Sequence, residues 1–164
     1  MSKRKVVEQE KLVGKYLTFI LGDGEYAVDI LKIQQVIQMP LVTRIPRAPG
    51  LIRGIINLRG KVVPIVSLHS KFNMPAVEET NKTCIVIVEI SDKQKPLILG
   101  IVIDEIKEVM NIELEMLTET PDMGVSKSAS HIIGTVRVGD KVRFILDLDE
   151  ILASSEIATL RQIY

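Results

Sequence analysis

Residues 54–68, GIINLRGKVVPIVSL, lie over residues 134–148, GTVRVGDKVRFILDL, at an offset of 80 with no gap. Gly54 meets Gly134, Lys61 meets Lys141, Val62 meets Val142, Ile65 meets Ile145 and Leu68 meets Leu148. Upstream, IQQVI at 33–37 lies over IKEVM at 106–110. A chain that repeats itself in this way is built from one unit used twice. Each unit reads as roughly five strands with one helical turn. Five short strands cannot bury both faces as an open sheet, so each half is expected to curl into a small β-barrel. Halves of about 75 residues are marginal alone and should share a packed interface that leaves a groove. The expected organisation is an arm at 1–14, a first barrel half at 15–82, a second at 83–148 and a C-terminal helix at 149–164.

The strands are legible because valine and isoleucine supply 41 of the 164 residues and tryptophan is absent. Short β-branched runs broken by Gly, Pro, Asn and Asp indicate a mainly β fold. The first half predicts strands at 16–21, 25–28, 33–38, 51–58 and 61–66. Gly22-Asp23-Gly24 and Arg59-Gly60 form its tight turns. Asp29 caps a single helical turn. Pro64 cannot donate to a ladder, which suggests an edge strand or a bulge. The second half predicts strands at 83–90, 97–103, 107–112, 132–138 and 141–146, with a helix starting in 147–154.

Lysine and arginine balance aspartate and glutamate at 21 each, so the formal net charge is zero. That balance argues against a general nucleic-acid binder. The zero conceals a division. Residues 30–77 hold seven bases and no acid, whereas residues 78–125 hold eleven acids and four bases. Two faces of opposite sign for two partners would follow. The basic window has one aromatic, Phe72, and so no stacking platform for bases. Apolar runs such as 97–103 fall far short of the ~18 residues of a membrane span. Residues 1–10 mix both charge signs without an apolar core, and the single cysteine cannot form an internal disulfide. A reducing cytoplasm is the expected compartment.

Catalytic and cofactor chemistry is not visible. Gly22-Asp23-Gly24 lacks the third glycine and the helix of a dinucleotide motif. His69 and His131 have no Cys or acidic ligand at useful sequence spacing, so no metal site is expected. Cys84 reads as a small buried hydrophobe. Ser67, His69 and Ser70 stand together, but no nucleophile elbow surrounds Ser67 and no third member is evident. Asp104-Glu105 and Asp149-Glu150 read as helix N-terminal charges. The alternative left open is a small-ligand-binding or enzymatic β-barrel protein that uses the inter-barrel groove.

Asn57-Leu58-Arg59-Gly60, preceded by LIRGI and followed by KVVPIV, resembles the CheW family of chemotaxis coupling proteins. Residues 16–37, 43–66, 99–110 and 144–152 resemble the family's other blocks, so the likeness covers about 15–155. It implies two linked five-stranded β-barrels, no enzyme activity and no cofactor. It also implies a cytoplasmic adaptor that joins the tips of chemoreceptors to the histidine kinase CheA. Receptor binding is carried onto Ile33, Gln35, Gly54, Asn57 and Arg59. Arg59 would project from its turn as a fork of donors, with Ile33 and Gln35 facing the groove as a pair. Met123, an apolar residue in a polar loop, is the candidate for kinase binding. The chain departs from the family pattern at Gln35, where relatives often have glutamate. It departs again at Ser67-Leu68-His69, where they often read Asp-Leu-Arg, so the pairing that motif makes is expected to be absent.

Overall fold

The apolar alternation places eleven strands in two sheets in a computed structural model that describes residues 9–91, 95–118 and 131–163. The strands are β1 (Gly14–Leu21), β2 (Gly24–Asp29), β3 (Ile33–Gln38), β4 (Ile52–Leu58), β5 (Lys61–Val66), β6 (Cys84–Ile90) and β7 (Leu97–Ile103). They continue as β8 (Glu105–Ile112), β9 (Leu117–Thr118), β10 (Ile132–Val138) and β11 (Lys141–Leu146). Two short helices, α1 (Leu68–Lys71) and α2 (Ser154–Arg161), follow the fifth strand of each half. The fold is mainly β, as the sequence predicts.

One sheet has the order β8-β1-β2-β11-β10-β9 and the other β3-β6-β7-β5-β4. Each therefore combines the first hairpin of one half with the later strands of the other. The two are related: third strand, foreign hairpin, fifth strand, fourth strand. The division into barrels at 15–82 and 83–148 is accordingly corrected, because β1 and β2 belong with the second half and β6 and β7 with the first. Connection length explains the exchange. In this order the third strand runs parallel to the second, with the first strand between them. Such a crossover needs a dozen or more residues. The chain supplies a three-residue 3-10 turn, Ile30–Lys32, in one half and Asp104 alone in the other. It must pass to the other sheet instead.

Both barrels close by one device. The segment after β3 bridges β4 at Thr43 and Ile55, and β9 pairs Thr118 with Thr135 on β10. Ile55 and Thr135 are equivalent in the 80-residue repeat. Pro64 lies on an interior strand, not an edge. Pairing of β5 with β7 begins at Ile65, so the missing N–H falls just outside that ladder.

Three apolar clusters are present among the described residues. Ile85, Ile87, Val63 and Ile65 lie inside one barrel, Tyr16, Ala27, Val136 and Ile145 inside the other. Phe19, Val86, Val88, Leu99 and Ile101 pack between the sheets. The strands of β6 and β7 are buried on both faces, which explains their unbroken apolar sequences. Ile157 and Leu160 of α2 dock on this shared core. Each contributes about 1.5–3 kcal/mol by burial. The helix begins at Ser154, later than expected, because Asp147 accepts the Asp149 N–H at 3.1 Å and fixes a turn first.

Candidate functional site

Asn57, Leu58, Arg59 and Gly60 end β4 in a tight hairpin turn. Arg59 has φ 53° and Gly60 φ 85°, the positive values a type I′ turn requires. Arginine at such a φ costs about 1–2 kcal/mol that glycine would not. Asn57 offsets part of it, since its Oδ1 accepts the Gly60 N–H at 2.9 Å. Asn57 thus holds the turn, and Arg59 projects from it into solvent with no ion-pair partner among the described residues. Gly54, in contrast, is buried. A Cβ there would stand 2.3 Å from the Thr43 carbonyl oxygen, so glycine permits the strand approach that closes the barrel.

Ile33 and Gln35 lie on β3, an edge strand, but not as a pair on one face. The register shifts between them: Ile33 is opposite Val88 and Gln35 opposite Ile87. Val88 belongs to the inter-sheet core and Ile87 to the barrel interior. Residues directly opposite share a face, so the bulge sends the two side chains to different sides. The expected groove-facing pair is corrected in this respect. Ile33 packs against the inter-sheet core.

The sequence predicts an inter-barrel groove but not the residues that line it. Val36, Ile37 and Gln38 of β3 face Glu105 and Ile106 of β8 across Cys84, around a space of about 390 Å³. Val36 and Val109, equivalent positions of the repeat, are exposed on the two edge strands at 40% and 53%. The repeat itself carried that signal: a polar strand face with one valine at the same place in each half. Cys84 is buried, and desolvation pushes its thiol pKa up, which favours the inert thiol.

A second, larger cleft of about 500 Å³ lies between the β3–β4 loop and α1. At its floor His69 Nε2 meets Asp104 Oδ2 at 2.9 Å. The same oxygen accepts the Gly22 N–H at 2.7 Å. His69 therefore has an acidic partner. Sequence spacing could not reveal it, because 35 residues separate the two. Ser67 caps α1 by accepting the Ser70 N–H at 3.3 Å. Neither acid pair opens a helix: Asp104 links β7 to β8, and Asp149 binds Lys32 at 2.8 Å and the Ser91 N–H at 2.8 Å.

The charge windows do not form two clean faces. Lys32 pairs with Asp149, Arg53 with Glu79 and Lys71 with Glu156. Arg44, Arg47, Arg59 and Lys61 are without ion-pair partners among the described residues, and all four sit on the β3–β4 loop or the β4–β5 hairpin. Met123 lies outside the described residues. No helix among the described residues is long and apolar enough to cross a membrane.

Residues 15–156 match the family model described as the CheW-like domain. The chain belongs to the CheW-like family. It is 31% identical over 144 residues to the chemotaxis protein CheW of Klebsiella aerogenes, covering 88% of this chain and 84% of that protein. It is 32% identical over 157 residues to the chemotaxis protein CheW of Treponema pallidum, covering 93% and 88% respectively. Among solved structures, the scaffolding protein TtCheW of Thermoanaerobacter tengcongensis superposes with a TM-score of 0.76 at 27% identity, over 88% of this chain and 90% of that one. The CheW-like fold thus accommodates both the repeat and the exchanged hairpins.

Proposed function

We propose that this CheW-like chain is a non-enzymatic chemotaxis adaptor that couples the cytoplasmic tips of chemoreceptors to the histidine kinase CheA. It acts in the cytoplasm and reaches the membrane only through receptors. The observation that carries this reading is the β4–β5 turn. Arg59 is held at positive φ by a turn anchored by the β4–β5 ladder and the Asn57–Gly60 bond, and its side chain is exposed with no ion pair among the described residues. Strain of this kind at an exposed charged residue points to a contact made by that side chain. A guanidinium so placed suits carbonyls and carboxylates at the tip of a helical hairpin. Ile33, Gln35, Asn57 and Gly54 then serve the surface around it, Gly54 by permitting the closure beneath. The β3–β8 groove adds apolar contact through Val36. Met123 remains the proposed kinase contact.

The test is a pull-down on the folded chain with CheA and with a soluble receptor cytoplasmic fragment, separately and together. Retention of each alone and of both at once is the expected result. If neither is retained by protein with an intact melting transition, the adaptor reading fails.

A further inference from the structure

Asp104 is the whole connection between β7 of one sheet and β8 of the other. Its N–H donates to the Ile20 carbonyl at 3.0 Å, and its carboxylate accepts from Gly22. Both partners belong to the β1–β2 hairpin. From the other side His69, on the helix that follows β5, reaches the same carboxylate. The two side chains are 10% and 16% exposed, so the contact is poorly screened by water. His69 is itself fixed, because its carbonyl accepts the Met74 N–H at 2.7 Å. Three chain segments, the β1–β2 hairpin, the β7–β8 junction and α1, therefore meet at Asp104.

The next two residues, Glu105 and Ile106, form one wall of the β3–β8 groove. Asp104 and His69 line the larger cleft instead, and Thr83 borders both spaces. The clasp thus stands directly behind the groove wall without entering it. We infer that His69 and Asp104 are positioning residues for the groove: their contact fixes the β7–β8 junction, and with it Glu105 and Ile106, relative to β3. This rests on the adaptor reading for the identity of the groove's occupant, though not for the clasp itself. Arg44, Arg53 and Glu79 are the other charged groups around the cleft. Arg53 and Glu79 engage each other, Arg44 makes no ion pair among the described residues, and Asp104 pairs with His69.

Two measurements on the full-length chain test the inference. The first is binding of a soluble receptor cytoplasmic fragment to His69→Ala, His69→Arg and wild type, at matched folded fraction. His69→Ala should weaken binding about tenfold, as expected when a buried charged hydrogen bond is lost at one remove from a site. His69→Arg, which keeps a donor toward Asp104, should restore most of it. The second is amide hydrogen exchange. Gly22 and Ile106 should exchange faster in His69→Ala, with Val138 on the far hairpin unchanged. Equal binding by His69→Ala, no rescue by arginine, or acceleration spread evenly over the molecule would each overturn the clasp. If wild type binds no fragment, the adaptor reading fails, while the exchange pattern still decides whether the junction is clasped.

Discussion

Thr43 and Ile55 exchange both backbone hydrogen bonds, at 2.9 Å from the Thr43 N–H and 2.8 Å from the Ile55 N–H, and so close the barrel built on β3 to β7. The bridge is possible because Gly54, at φ 152°, has no Cβ to strike the Thr43 carbonyl. Gly54→Ala should therefore destabilise the fold by about 3 kcal/mol, through both strain and the forced separation of the strands. Urea denaturation checks this. Any loss of partner binding in this variant should track its unfolded fraction.

Arg59 and Asn57 share one turn but should behave oppositely. Arg59→Ala should leave stability within about 0.5 kcal/mol of wild type, because the side chain is exposed and makes no ion pair among the described residues. Its receptor binding should fall nonetheless. Asn57→Ala removes the acceptor for the Gly60 N–H and should cost about 1 kcal/mol. Parallel melting and binding curves for the two variants separate the roles, and equal losses in both for Arg59→Ala would sink its assignment as a contact residue.

Arg143 is 6% exposed, and its guanidinium binds Glu108 at 2.9 Å and Glu25 at 3.4 Å at the end of one barrel. The equivalent residue of the other half, 80 positions earlier, is Val63. Arg143→Val should still destabilise by about 3 kcal/mol, because it leaves the Glu25 carboxylate, whose side chain is 12% exposed, with only the looser Lys141 contact at 3.8 Å. Adding Glu25→Leu should recover much of that loss. A double-mutant cycle by chemical denaturation measures the recovery, and additive losses would show that the ion pair does not hold the barrel end.

Acid should weaken the fold through His131. Its ring lies 6.2 Å from that of Phe72, and burial, aided by the Lys71 ammonium, pushes its pKa below 6.5. The folded state thus favours neutral imidazole. The stability this confers is complete above pH 6.5 and is lost as pH falls toward the depressed value, where the unfolded chain binds the proton first. His131→Asn should flatten this part of the profile. Unfolding free energies from pH 8 to pH 5 for the two proteins check the sign.

Most strand boundaries were readable in the sequence because they depend on neighbours: β3, β5, β7, β10 and β11 begin and end where alternation and turn residues place them. The turn that carries Arg59 was readable for the same reason. Ile33 and Gln35 were not, because a bulge against β6 breaks the alternation on which their facing was argued. The partner of His69 was not readable, because Asp104 is remote from it in the chain.

By itself the sequence determined that the fold is mainly β, that one unit is used twice, and that an arginine stands at a hairpin tip. Those properties follow from local periodicity, turn chemistry and self-similarity. The tertiary structure decided which hairpin joins which sheet and where the charges meet. Period fixes the face of a strand but not its partner. Here the partner was set by two connections too short to cross a strand, and the same constraint placed Asp104 where His69 and Gly22 could both reach it.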